Sequence, residues 1–146
     1  MTLVRGFTAV TFGIGLLAIS VVAAPQAGAA KGAAKTVTGN VVDAACFMIH
    51  PPAANTPSHN ECGAACMSKG VPLAIAGDDG ALYFPADGNT RLAEFHGQHV
   101  KATGTVTGKT EPMELKMPVG DKNTMTVKVE GGYKVIAMDS VAKAAK

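Results

Sequence analysis

Aromatic and charged residues are both scarce in this chain of 146 residues. It contains no tryptophan, two tyrosines and five phenylalanines, and its formal net charge at pH 7 is only +2, without a run of basic residues. Proteins that bind single-stranded nucleic acid combine a positively charged groove with aromatic side chains on which the bases stack. The composition therefore predicts that nucleic acid is not a partner.

Motifs that place catalytic groups are also lacking. The chain has no G-x-S-x-G nucleophile motif, no phosphate-binding P-loop and no glycine-rich dinucleotide fingerprint. No motif sets a nucleophile beside a base, or an acid beside a base. We therefore expect a protein that is not an enzyme.

The chain has only one long apolar run, and it lies at the N-terminus. Arg5 precedes an uncharged apolar stretch over residues 6–24, and small residues follow at 27–30. A charged start, an apolar centre and an A-x-A end are typical of a secretory signal peptide, here cut after Ala29 or Ala30. The alternative is a transmembrane anchor, since about 20 apolar residues can span a bilayer.

Removal of the predicted signal peptide, residues 1–30, leaves about 116 residues, enough for one domain. We expect a periplasmic or secreted protein with no stable membrane span after cleavage. Residues 31–35 are predicted to be a flexible lead-in, 36–141 a single domain, and 142–146 a frayed tail.

Strand patterns dominate the predicted domain. β-branched content, alternation and turn signals indicate extended segments at 36–44, 71–76, 81–85, 98–107, 113–119, 124–130 and 133–141, and a short helix at 89–96. Gly39 is a candidate bulge within the first strand. We expect a mainly β fold, a small OB-like barrel of five or six strands, with an open sandwich as the alternative.

One short helix is expected after the first strand. Ser58 and Glu61 form an S-x-x-E capping box, in which each side chain can satisfy the other residue's backbone N–H. The helix is predicted over residues 59–69, and Gly70 and Pro72 mark its end.

Cysteine and histidine are concentrated around this helix. Five side chains of the kind that bind transition metals lie within 21 residues: Cys46, His50, His59, Cys62 and Cys66. In the predicted helix, His59, Cys62 and Cys66 occupy positions i, i+3 and i+7, which share one face. The loop between can fold Cys46 and His50 back against that face.

This cluster predicts a metal site. A tetrahedral centre needs four such groups, and thiolate with imidazole suits zinc or copper. Thioethers favour Cu(I), and Met48 and Met67 lie near enough in sequence to supply them. The expected partner in this case is the metal ion.

A disulfide is the alternative use of the cysteines. Cys62 and Cys66 are poor partners because side chains at i and i+4 of a helix run parallel, so the bond would join Cys46 to Cys62 or Cys66. The third cysteine would then be a small buried apolar residue or a reactive thiol. The protein would be a disulfide-stapled structural or interaction module, with another exported protein as its partner.

Structural roles are predicted for the remaining histidines and methionines. His96 and His99 flank a turn before a strand, where we expect surface histidines. Met113, Met117 and Met125 alternate with other residues along strands, which favours core packing over a copper-binding stripe.

Two stretches together resemble a group of small exported bacterial proteins. The first stretch runs from Gly39 to His50 and contains a strand that ends in Val-Asp shortly before Cys46. The second stretch carries H-x-x-C-x-x-x-C from His59 to Cys66, and G-x-P and a D-G-x-x-Y hairpin follow it. The resemblance covers residues 38–85 and implies an OB-like fold and an important cysteine cluster. It implies no activity, since no settled function belongs to that group.

Overall fold

The structure is a computed structural model that describes residues 32–50 and 57–145, and for residues 57–62 it describes the backbone alone. The predicted signal peptide lies outside the described residues. Within them the elements follow in this order: β1 (Ala33–Asp43), α1 (Ala44–Ile49), α2 (Pro57–Ser68), β2 (Leu73–Gly77), β3 (Leu82–Pro85), 3-10 turns at Gly88–Arg91 and Ala93–Phe95, β4 (His99–Lys109), β5 (Met113–Val119), β6 (Asn123–Val129) and β7 (Tyr133–Lys143).

Five of these strands close into a barrel in the order β1-β2-β3-β7-β4. Neighbouring strands are antiparallel except β3 and β7, which are parallel. The predicted mainly β, OB-like barrel is therefore confirmed. β1 begins at Ala33, inside the segment predicted as a lead-in, because residues 33–35 pair with β4. β7 likewise continues to Lys143, past the predicted start of the tail.

Alternation along the strands fills the barrel. In β4, Val100 and Ala102 are buried and Lys101 between them is exposed, as expected when successive side chains point to opposite faces of a sheet. The barrel core consists of Val37, Val41, Leu73, Ile75, Tyr83, Leu92, Val100, Ala102, Ile136 and Met138.

Glycines are required where strands of the barrel approach one another closely. The β4–β7 register shifts between Thr103 and Gly104, and a Cβ on Gly104 would lie 2.2 Å from the carbonyl oxygen of Ala137. Gly39 was predicted as a bulge, but its register with β2 and β4 is regular. A Cβ there would lie 2.2 Å from the carbonyl oxygen of Ala76, so close approach is the reason for glycine.

A polar cluster joins β3 to the strands around it. Tyr83 is fully buried, and its hydroxyl donates to Asp79 Oδ2 at 2.5 Å while it accepts from Lys35 Nζ and, at 3.4 Å, from Lys134 Nζ. The hydrogen bonds from Tyr83 and Lys35 hold the pKa of Asp79 well below its ordinary value. The cluster satisfies its own polar groups, so we assign it a structural role.

The remaining two strands form a separate hairpin. β5 and β6 pair with each other over seven register positions, from Met113↔Val129 to Val119↔Asn123, and they form their own two-stranded sheet. β5 has the predicted bounds. Both strands of a two-stranded sheet are edges, which is why Pro118 is tolerated within β5.

Two helices, rather than the single predicted one, occupy the connection between β1 and β2. The additional helix is α1, and its N-cap is Asp43, whose Oδ1 accepts from the backbone N–H of Cys46 at 2.9 Å. Capping by Asp is a strong start signal for a helix. No helix of the described residues is long and apolar enough to cross a membrane.

The second helix ends as the sequence predicts. Gly70 has φ +87°, its N–H donates to the Met67 carbonyl at 2.9 Å, and the N–H of Val71 donates to the Cys66 carbonyl at 3.1 Å. These two bonds are the Schellman pattern of helix termination. α2 begins at Pro57, so Ser58 lies within the helix and not at the N-cap position predicted for it; the side chains of Ser58 and Glu61 lie outside those described.

Asn89 fixes the exit of α2 against the barrel. Its side-chain amide accepts from the N–H of Leu73 at 2.7 Å and donates to the carbonyl of Val71 at 2.8 Å. Asn89 lies in the first of two 3-10 turns that replace the single short helix predicted at 89–96.

The helices and the hairpin meet over a second core outside the barrel. Its buried members are Ala44, Ala45, Cys66, Val71, Ala74, Phe84, Leu115 and Val129. α1 and α2 belong to the β1–β2 connection and the β5–β6 hairpin to the β4–β7 connection, so this second core ties the two connections together.

Candidate functional site

The thiol of Cys46 lies against the thioether of Met117. Cys46 Sγ donates to Met117 Sδ at 3.8 Å across a sequence separation of 71 residues. Cys46 is 8% exposed on α1, and Met117 on β5 packs half-buried against the second core. Because Asp43 caps α1 at the backbone of Cys46, the position of this thiol is fixed by the start of the helix.

Cys66 reaches the same region from α2. It is 7% exposed and belongs to the second core, together with Ala44 and Ala45 of α1. It also lines a cleft of about 200 Å³ between α2 and the end of β5, whose other lining residues are Ala65, Lys69, Pro118, Gly120 and Asp121. A cleft of this size admits several water molecules, so solvent ions can approach Cys66.

The other predicted ligands are not placed beside Cys46 and Cys66 by the described side chains. His50 is the exposed C-cap of α1, and its backbone N–H donates to the Cys46 carbonyl. His59 and Cys62 lie on α2, with side chains outside those described. Among the side chains that are described, no three from His, Cys, Asp and Glu gather closely enough to hold a metal ion. The five-residue ligand set stays a prediction.

Methionines differ in where their thioethers pack. Met67, a predicted thioether donor, packs on the barrel core, whereas Met48 packs on the second core. Core packing is confirmed for Met113 and Met117. It is wrong for Met125, which is 37% exposed. Met117 was not predicted as a neighbour of Cys46, because no local signal links β5 to the start of α1.

Asp43 brings a buried carboxyl group beside Cys46. It is 3% exposed; Oδ1 accepts from the Cys46 N–H, and Oδ2 has no hydrogen-bond partner. Buried polar atoms are normally hydrogen-bonded, and a buried carboxylate costs free energy unless a positive group compensates it. None of the described lysines and arginines forms an ion pair with Asp43.

His96 and His99 are not the surface histidines that were predicted. The half-buried ring of His96 lies over α2 at Gly63, where an added Cβ would be 2.4 Å from Cε1 and Nε2 and 3.7 Å from the Cβ of Asp43. The side chain of His99 is 13% exposed, its Nε2 lies 3.2 Å from the carboxylate of Asp78, and its Nδ1 is buried. Gly63 therefore lets α2 approach both His96 and the cap of α1.

Burial lowers the pKa of His96 below its ordinary value, and the nearby charge of Asp43 only partly opposes this effect. The unfolded chain then binds a proton at this position more readily than the folded protein does. We expect the stability contributed by neutral His96 to be present above about pH 6.5 and to be lost as the pH falls from there toward the lowered pKa. The measurement is the urea midpoint at a series of pH values from neutral downward.

In His96→Gln the urea midpoint should fall less over this range than in the unsubstituted protein. His50→Gln is the control, because His50 is exposed. Parallel pH profiles for the unsubstituted protein and His96→Gln would contradict this role for His96.

Comparisons with known proteins give the chain no family. No protein-family model, curated protein or solved structure matched it. The resemblance to small exported bacterial proteins stays a prediction.

Proposed function

We propose that the protein is an exported metal-binding domain that holds one Cu(I) ion between the thiol sulfur of Cys46 and the thioether sulfur of Met117. Cys66 and Cys62 of α2 are the further sulfur ligands, as the sequence pattern predicts. The domain would store or carry the ion. The observation that carries the proposal is the 3.8 Å contact between Sγ and Sδ.

The separation of the two sulfurs suits a shared ion. Sulfur ligands about 2.3 Å from one tetrahedral ion lie about 3.8 Å apart. The same distance is an ordinary contact between two sulfur atoms, so Cys46 and Met117 can pack without an ion and receive one without moving apart.

The chemistry of the pair favours copper over zinc. Thiolate and thioether are soft ligands that select Cu(I), whereas zinc sites use thiolate, imidazole or carboxylate. Of the two metals that the sequence predicts, zinc and copper, Met117 therefore favours copper. Binding also requires that each ligating cysteine lose its proton, so ion uptake releases protons to solvent.

Electrostatics support a positive ion at this place. The carboxyl group of Asp43 is held against the backbone of Cys46, and its Oδ2 is buried without a hydrogen-bond partner. A cation bound to the thiolate of Cys46 would lie near this group and offset the cost of burying it.

The position of the site in the fold agrees with a binding role. OB barrels bind ligands with the connection between their first two strands and the connection between their last two. In this barrel those are the connection that carries α1 and α2 and the connection that forms the β5–β6 hairpin, and Cys46 and Met117 belong to one each. The likeness to OB barrels is one of fold alone, and the contact between Cys46 and Met117 supplies the chemistry of the site.

The test is a competition titration of the reduced protein with Cu(I) under anaerobic conditions, against a coloured Cu(I) chelator. We expect one Cu(I) per chain, and Met117→Leu should weaken binding about tenfold, which corresponds to about 1.4 kcal/mol. Leucine preserves the volume of methionine, so the packing should persist. Met113→Leu is the matched control, because Met113 lies on the same face of β5 about 13 Å along the strand.

Two outcomes would overturn the proposal. One is the absence of stoichiometric Cu(I) in the reduced protein. The other is an affinity for Cu(I) in Met117→Leu equal to that of Met113→Leu. Tight Zn²⁺ binding that Met117→Leu leaves unchanged would instead assign the site to the cysteine and histidine set without the thioether.

A further inference from the structure

Met125 stands directly opposite Met117 in the hairpin. The register pairs Met117 of β5 with Met125 of β6. Residues paired in this way project from the same face of a sheet, with Cβ atoms about 4.5–5.5 Å apart. The methionine whose thioether contacts the Cys46 thiol therefore has a second methionine on the same face of the neighbouring strand.

Exposure increases from the thiol outward. Cys46 is 8% exposed, Met117 is half-buried, and Met125 is 37% exposed. Met125 and Val119 are the two exposed large apolar side chains of the described residues, and both lie toward the turn of the hairpin on its core-facing side. Cys46 contacts Met117, and Met117 is paired with Met125, so the three residues follow one another from the buried thiol toward solvent.

We infer that Met125 is the port through which Cu(I) reaches the site. This inference rests on the proposed function and adds the path by which the ion arrives. The ion leaves a soft-ligand donor complex, binds the thioether of Met125, and passes by ligand exchange to Met117 and the thiolate of Cys46. Met125 is then released, because the final site is completed by the thiols of α2.

Each step exchanges one bond to copper for another. The bond from the ion to one donor ligand breaks as the bond to Met125 forms. The remaining donor ligands leave as Met117 and Cys46 bind, and the bond to Met125 breaks as a thiolate of α2 replaces it. The ion remains Cu(I) throughout, so no oxidant or reductant is needed. Each cysteine that binds the ion gives its thiol proton to solvent.

Thioethers suit such a transient role. A neutral thioether is a soft ligand for Cu(I), but it lacks the charge of a thiolate. An exposed methionine can therefore take the ion from a donor and yield it to the thiolate of Cys46. The donor class this predicts is a Cu(I) complex with exchangeable sulfur ligands.

The test measures the rate of loading and the equilibrium affinity in the same variants. The reduced protein is mixed anaerobically with a coloured Cu(I)–chelator complex in a stopped-flow instrument, and the loss of the chelator colour is followed. Met125→Leu should slow loading about tenfold while its equilibrium affinity stays within about twofold, or 0.4 kcal/mol, of the unsubstituted protein.

Val119→Ala is the matched control, since it removes the other exposed apolar side chain of the same hairpin without removing a sulfur. It should load at the unsubstituted rate. Equal slowing in both variants would overturn the port, because a change in the packing of the hairpin, and not the loss of a sulfur, would then explain the effect.

The remaining outcomes separate the port from the proposed function. An unchanged loading rate in Met125→Leu overturns the port and leaves the proposed function intact. A loss of affinity equal to the loss of rate also overturns the port, because it makes Met125 a permanent ligand. The absence of Cu(I) uptake by the unsubstituted protein overturns both.

Discussion

Cys46→Ser is expected to lose Cu(I) binding, with an affinity at least about 100-fold weaker, which corresponds to about 3 kcal/mol. The reason is that the substitution replaces a soft thiolate with a hydroxyl oxygen, which does not suit Cu(I). The cap of α1 should survive, because Asp43 bonds the backbone N–H of residue 46 and not its side chain. The measurement is competition with a coloured chelator, together with the copper content of the reduced, loaded protein.

Three outcomes determine the interpretation of this result. A far-ultraviolet circular dichroism spectrum and urea midpoint close to those of the unsubstituted protein would exclude unfolding as the cause. Unchanged Cu(I) affinity in Cys46→Ser would remove Cys46 from the site and contradict the proposal. A purified chain lighter by two hydrogen atoms, which takes up no copper until reduced, would favour the disulfide-stapled module.

Gly104→Ala is expected to destabilise the protein by about 2–3 kcal/mol. The added Cβ would lie 2.2 Å from the carbonyl oxygen of Ala137 and 2.8 Å from the Cα of Met138. Both atoms belong to the backbone of β7, so the clash cannot be relieved by the rotation of a side chain. Thermal unfolding should show a midpoint lower by roughly 10 °C for a domain of this size.

Gly108→Ala gives the matched comparison on the same strand. A Cβ at Gly108 would meet no atom within 4 Å. The substitution should change stability by no more than about 0.5 kcal/mol. Equal losses of stability in the two variants would mean that strand flexibility, and not the close approach of β7, requires glycine at position 104.

The sequence was sufficient for the elements that depend on local patterns. Alternation is a property of a few neighbouring residues, so β5 was predicted with its observed bounds. The helix stop at Gly70 was also predictable, because only a glycine adopts a positive φ there at little cost. The barrel followed from the number of strands and their turns.

Contacts between distant segments could not be predicted in this way. The proximity of Met117 to Cys46 depends on how a hairpin packs on a helix 71 residues earlier, and no local pattern encodes it. α1 was missed because its six residues are too few to show a helical period. Asp43, its N-cap, was the available signal.

The surroundings of His96 also depend on a distant segment and could not be predicted from a local pattern. Its position before a strand suggested a surface residue, but Gly63 of α2 leaves room for its ring. The missing side chain of Gly63 thus determines the environment of a residue 33 positions away. A glycine inside a predicted helix is a usable signal for close packing, although it does not name the group that packs there.

The position of β7 in the barrel has a consequence for the order of folding. β7 lies between β3 and β4 and joins them, so the ring of strands cannot close until the C-terminal segment is available. A chain that emerges from a ribosome or translocase N-terminus first contains β3 and β4 before it contains β7. Each of these two strands then has an unpaired edge until residues 133–143 emerge. Pairing between strands so far apart in the sequence is slow. We therefore expect the chain to be most prone to aggregation before β7 has paired with β3 and β4.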